Sequence, residues 1–75
     1  MKKTSLALRL GNVFRRRRMS LGFNQDDFAA ELGMHRSYYS ALERGEKNIS
    51  LNTIERVCAG LKIDVWELFR EASRE

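Results

Sequence analysis

Proline is missing from this chain of 75 residues, cysteine and histidine occur once each, and no apolar run is long enough to cross a bilayer. Each absence excludes something. Cys58 alone leaves no disulfide within the chain, and with His35 as the only histidine it cannot complete a structural zinc site of the usual Cys/His kind. No metal and no cofactor are expected. No paired acid and base and no nucleophile with an activating partner can be assembled, so no enzyme is expected either. The opening "MKKTSLALRLG" imitates a signal peptide, but Arg9 interrupts its apolar run and four arginines follow, leaving no hydrophobic region of the right length. The expected location is the cytoplasm.

What is present favours helices. A chain of this length makes one domain, 1–75, close to the lower limit for folding unaided. It therefore needs well-made helix packing or a partner subunit. The net charge is +4, and its distribution says more than its total. Residues 1–20 hold Lys2, Lys3, Arg9 and the run Arg15 to Arg18 with no acid, whereas from Lys62 onward the signs nearly cancel. A basic end on a small helical domain points to a polyanion, nucleic acid before membrane.

Helix starts share one device, a cap with apolar residues five apart across it. Asn24 lies between Phe23 and Phe28, Ser50 between Ile49 and Ile54, and Asp64 between Ile63 and Leu68, with Glu67 completing an acidic capping box. Met34 and Tyr39 bracket His35 in the same way. A first helix is expected from about Ser5 to Ser20, with Leu6, Leu10, Phe14 and Leu21 on its buried stripe and Val13 at the margin. Gly22, Gly33, Gly45 and Gly60 are expected to end the first four helices, Gly33 in a left-handed cap. With no strand-like alternation, the fold class is all-α: a compact bundle of five short helices.

Between Gln25 and Arg44 two helices are joined by "ELGMH". Phe28, Leu32, Met34, Tyr39 and Leu42 are apolar where steeply crossing helices bury residues. Ala29 is small where the second helix passes, and Gly33 sits where the turn needs positive φ. All seven positions fit a helix-turn-helix of helices two and three.

On these residues the chain resembles the Cro/repressor-type, lambda-repressor-like helix-turn-helix proteins. The resemblance spans about Gly11 to Phe69, through Gly11, Phe14, Arg18 and Gly22, "NQDDFAAELG", "LERGEKNISL" and the closing "VWELF". Within that family "HRSYYSALERGEKNISL" is most similar to the controller proteins of restriction–modification systems, which typically read His/Asp-Arg-Thr-Tyr-Ile, then Glu-Arg-Gly and Asn-x-Ser-Leu. The resemblance implies a DNA-binding regulator that acts on its own promoter and on a restriction endonuclease gene. It would activate at low occupancy and repress at high occupancy, with RNA polymerase as a candidate further partner. It also implies that Gln25 clamps the DNA backbone and that Arg18 pairs with Glu43. Arg17 stands where the family is usually apolar, so its guanidinium is expected to reach outward over its stem. Tyr39 replaces a common isoleucine.

If the third helix lies in a major groove, its first residues meet base edges while Tyr39 and Leu42 pack inward. Arg36 is the expected reader, since a guanidinium can donate twice to guanine O6 and N7. Ser37 and Ser40 can reach base or phosphate, and Ala41 can touch a thymine methyl. Phosphate contacts are assigned to Arg16, Gln25, His35, Tyr38, Arg44, Lys47 and Asn48. Gln25 opens a helix whose free N–H groups favour an anion. Of Arg15, Arg16 and Arg17, one or two can meet the DNA backbone; against all these contacts stands the plainer reading of a solvated face, which is the simpler one for Glu46. Arg18 reads as structural before base-reading, and Cys58 as packing before redox sensing.

The last helix carries Ile63, Val65, Trp66, Leu68 and Phe69, more apolar residues than a short terminal helix needs. Val65, Trp66 and Phe69 are assigned to an isologous dimer seam, with residues 62–75 contributing; the alternative is that they close the monomer core. The expected protein is a homodimer on double-stranded DNA with a palindromic operator. The rivals are an antitoxin or phage-type repressor whose main partner is another protein, and a binder of nucleic acid without sequence choice.

Overall fold

Ser5 sets the first helix, its hydroxyl accepting the Leu8 N–H at 3.1 Å. The computed structural model describes residues 5–75, and among these it contains helices and no strand: α1 Leu6–Ser20, α2 Gln25–Leu32, α3 Arg36–Glu43, α4 Leu51–Leu61 and α5 Val65–Ser73. Lys2 and Lys3 of the basic stretch lie outside the described residues. None of the described helices is long and apolar enough to cross a membrane.

Local chemistry makes most of the boundaries. Asn24 accepts the Asp27 N–H at 2.8 Å, and Ser50 accepts that of Thr53 at 3.1 Å. The Phe23 and Phe28 rings meet across the first of these caps with centroids 5.4 Å apart. Gly33 takes φ 69, the left-handed value that a β-carbon disfavours, and turns the chain from α2 into α3.

Three local expectations fail. Asp64 makes no side-chain cap bond, and Glu67 does not complete a box with it. The Glu67 carboxylate instead faces Arg70 at 2.7 Å and Arg17 at 3.5 Å. Gly60 does not end the fourth helix, which runs to Leu61 with Lys62 as its left-handed cap at φ 61. A β-carbon on Gly60 would come within 2.5 Å of Leu32 Cδ2, so the glycine makes room for α2. The buried stripe of α1 is also displaced. Val13 belongs to its centre, while Leu6 and Leu21 are 48% and 44% exposed at the two ends, beyond the covered run from Leu10 to Arg18.

The core forms where α1 packs on α3, α4 and α5, with α2 lying against α3 and α4. Val13, Phe14, Phe28, Tyr39, Val57 and Leu68 are its fully enclosed large side chains, and Cys58 is buried among them. Phe28 and Tyr39 lock the helix-turn-helix pair edge to face, with centroids 5.3 Å apart. Gly11 brings α1 directly onto the end of α3: an added Cβ would lie 2.5 Å from the Glu43 carbonyl oxygen and 2.6 Å from that of Leu42. Backbone cannot yield as a side-chain tip can. Gly11→Ala is expected to lower the unfolding free energy by about 1–3 kcal/mol, read as an earlier urea midpoint.

A row of charges fastens α5 to α1. Arg17 pairs with Glu71 and, at 3.5 Å, with Glu67; Arg16 meets Glu75 at 2.5 Å and Glu71 at 3.8 Å. Asn12 Nδ2 also donates to Glu75, at 3.0 Å. The hydrogen bond from Arg17 holds the Glu71 carboxyl below the usual carboxylate range. Arg17, at a position expected to hold an apolar residue, thus reaches out over its stem to the acids of α5 and is not left in open solvent.

Candidate nucleic-acid interface

Helix α3 divides into two sides by angle alone. Tyr39, Leu42 and Glu43 are buried, and Arg36 and Ser37 are exposed with Ser40 half-covered beside them. Successive helical residues are about 100° apart, which puts Arg36, Ser40 and Ser37 within one outward arc of about 100°. Together with Arg44 they line a shallow depression. Small residues at Ser37 and Ser40 let a surface as close-fitting as a groove approach the helix backbone.

Ala41 does not belong to this row. It is only 5% exposed: about 40° from Ser37 by helical angle, it sits at the margin of the exposed face, where packing covers its methyl. Its assignment to a thymine methyl is withdrawn. Tyr38 is half-buried and packs against the core beyond Ala41, on the same side of the exposed face.

A buried charge pair supports the exposed face from behind. Arg18 Nε donates to Glu43 Oε2 at 2.7 Å and Nη2 to Oε1 at 3.1 Å, while Nη1 donates to the Phe23 carbonyl at 2.8 Å. Gln25 Nε2 donates to the same carboxylate at 2.8 Å. One group thus ties the end of α1, the start of α2 and the end of α3. Burial on its own raises the Glu43 carboxyl; the Arg18 guanidinium, then Tyr39 and Gln25, reverse this and hold it below the usual range. The Tyr39 hydroxyl lies in the same enclosure with no described group in good hydrogen-bond geometry. Burial, and next the Glu43 charge, push its phenol far above the ordinary value, so it stays protonated.

Gln25 is thereby oriented. The carboxylate fixes which end of the amide is nitrogen, and one N–H remains for another acceptor. Arg44 is oriented as well: Nη1 donates to Ser40 Oγ at 2.6 Å, and Nε and Nη2 each meet Glu46 at 3.0 Å. His35 occupies the N-cap position of α3 without capping it, exposed like Lys47 and Asn48 beyond the other end of the helix. Arg36 is paired too, its Nε 2.7 Å from Asp26 Oδ1 in the first turn of α2.

The arginine run resolves by rotation. Arg16 is turned to α5, where Glu71 and Glu75 take its guanidinium, which argues against its assignment to DNA phosphate. Arg15, for which phosphate and solvent are both open in the sequence, lines a second hollow with Asn12, Arg18, Gln25, Ser40, Glu43 and Arg44. One helical step separates the two fates. The acids spaced four apart at Glu67, Glu71 and Glu75 were the available signal that one side of the run had partners within the chain.

Among the described residues no three His, Cys, Asp or Glu side chains are grouped as a metal site would require. The exposed side of α3 and the hollow beside Arg15 form a polar, cation-bearing surface of hydrogen-bond donors with a helix at its centre. Such a surface suits the edges and phosphates of a nucleic acid.

Comparison with known proteins places this geometry in company. Residues 14–67 match the helix-turn-helix family. Control protein C.MunI of a Mycoplasma species is 37% identical over 71 residues, covering 93% of this chain and 96% of that protein. The crystal structure of the restriction-modification controller protein C.AhdI from Aeromonas hydrophila is similar with a TM-score of 0.79 at 35% identity, over 84% of this chain and 96% of that one. The clp gene regulator ClgR from C. glutamicum is similar with a TM-score of 0.89 at 30% identity, over 95% and 92%.

Proposed function

The chain belongs to the Cro/C1-type helix-turn-helix family of DNA-binding regulators, and we propose that it works as a restriction–modification controller: a cytoplasmic homodimer on a palindromic operator that governs its own promoter. The observation that carries this reading is the outward row of Arg36, Ser37 and Ser40 on α3, braced from behind by Arg18 and Glu43. Arg36 reads guanine, and Ser37 and Ser40 reach base or phosphate. Gln25, His35, Tyr38, Arg44, Lys47 and Asn48 contact phosphate, joined by Arg15 in place of Arg16. At an activating position on DNA, RNA polymerase is the further partner.

A single module of this size reads too few bases for useful specificity, and two copies read a palindrome with half-sites about 34 Å apart. Trp66 and Leu51 are 76% and 77% exposed and share a hollow with Val65 on the α4–α5 face. Phe69, assigned to the seam from its spacing, is half-buried against the monomer core as Val65 is, and Leu51 joins them in the proposed interface. Trp66→Ala is expected to weaken dimerisation by about 2 kcal/mol or more, roughly thirtyfold in dissociation constant, as measured by sedimentation.

Selection from a random-sequence duplex pool, at low and near-physiological salt, tests the whole reading. A palindrome that persists at the higher salt supports it. Unselective binding that vanishes with salt reduces the basic face to phosphate attraction and turns attention to a protein partner at Leu51 and Trp66, as in an antitoxin.

A further inference from the structure

Arg36 and Asp26 come from different helices and meet at the DNA-facing end of both. Asp26 stands in the first turn of α2, and its Oδ1 lies 2.7 Å from Arg36 Nε. Arg36 and Asp26 side chains are 68% and 66% exposed, so water keeps the pair weak in the free protein. The bland account of Asp26 is a first-turn acid favoured by the helix dipole.

The atoms engaged argue for more. A guanidinium donates along three edges, and guanine takes two parallel bonds at O6 and N7. The Asp26 carboxylate lies against Nε as an ion pair, without the alignment of a hydrogen bond, and leaves the two terminal nitrogens together at the far end. Among the described residues none accepts from Arg36 Nη1 or Nη2. A long side chain tethered at Nε has fewer rotamers to surrender when its tip reaches a base. Water leaves the pair as α3 enters a groove, and the lower local dielectric strengthens the tether there.

We propose that Asp26 is the positioning residue for Arg36. It holds Nε so that Nη1 and Nη2 face guanine, and its charge opposes binding to phosphate wherever no guanine repays the approach. This rests on Arg36 as the base reader. Asp26 then acts on sequence preference, in contrast to a residue that adds affinity for any duplex.

The experiment compares wild type, Asp26→Asn, Asp26→Glu and Arg36→Ala on the palindromic duplex recovered by selection and on a scrambled duplex of equal length. Asp26→Asn is expected to lower the preference for the palindrome about tenfold, with binding to the scrambled duplex unchanged or tighter. The penalty for replacing the guanine should shrink in Asp26→Asn, Asp26→Glu should recover most of it, and Tm should stay within about 2 °C because the pair is exposed. A preference within twofold of wild type in Asp26→Asn, while Arg36→Ala abolishes it, overturns the proposal alone. Equal tightening on both duplexes also overturns it, leaving Asp26 as simple repulsion. If Arg36→Ala keeps the preference, or selection yields no palindrome, the base-reading assignment fails and the proposal fails with it.

Discussion

Replacing Glu43 by alanine is expected to lower the unfolding free energy by about 3–5 kcal/mol, because it strands the buried Arg18 guanidinium without its counter-charge. A domain of this length has roughly 4–11 kcal/mol in all, so the variant should sit near the edge of folding. The two side chains are only 7% and 6% exposed, which leaves water little room to replace the lost carboxylate. Urea unfolding followed by circular dichroism measures the effect. The double variant Arg18→Met/Glu43→Leu should lose much less than the sum of the single changes, since it buries no charge at all. If the double variant is as unstable as that sum, the pair itself is not the source of the loss. The same pair sets an acid limit. The folded-state pKa of Glu43 is lowered below its unfolded value, so the native state binds fewer protons around that value. The carboxylate's contribution is complete above the unfolded pKa, about 4.3, and disappears as pH falls through the lowered folded one.

Arg36→Ala is expected to remove about 1–3 kcal/mol of discrimination at each guanine contact, and hence roughly 2–6 kcal/mol across two half-sites. The loss should appear as relaxed preference at one symmetric pair of positions, with the dependence on salt little changed. Arg15→Ala should behave differently. A phosphate contact removed from each protomer weakens every duplex alike and lowers the salt slope by about 1 per contact. Titrations of the selected and scrambled duplexes at three salt concentrations separate the two patterns. Were Arg36→Ala to weaken both duplexes equally, it would be a phosphate ligand and the reader would have to be sought among Ser37 and Ser40.

What could be read in the sequence follows the range of the forces involved. The caps at Asn24 and Ser50, the staple of Phe23 and Phe28 and the left-handed turn at Gly33 are settled within five residues, and each is legible there. Asp64 looks like an equally good cap, yet the carboxylate at Glu67 that should complete its box faces Arg70 in its own helix and, at longer range, Arg17, which lies 50 residues earlier. Gly60 carries the composition of a helix end and is a packing residue, because the space it leaves is needed by Leu32 and Phe28 of another helix. At the site, the outward placement of Arg36, Ser37 and Ser40 follows from helical angle alone. Ala41 fails because a methyl at the margin of the exposed arc is easily covered. Choosing between Arg15 and Arg16 needed the position of α5, which local patterns do not contain.

Trp66 is the only tryptophan in the chain, and it stands on the exposed hollow of α4 and α5, away from the core aromatics. An indole in water emits at longer wavelength than one packed against Leu51 and Val65 of a second copy. The colour of the protein's own fluorescence should therefore shift toward the blue as its concentration rises, with no dye and no DNA present. For the dimer proposed here, that shift in the purified protein would report assembly directly, without a label.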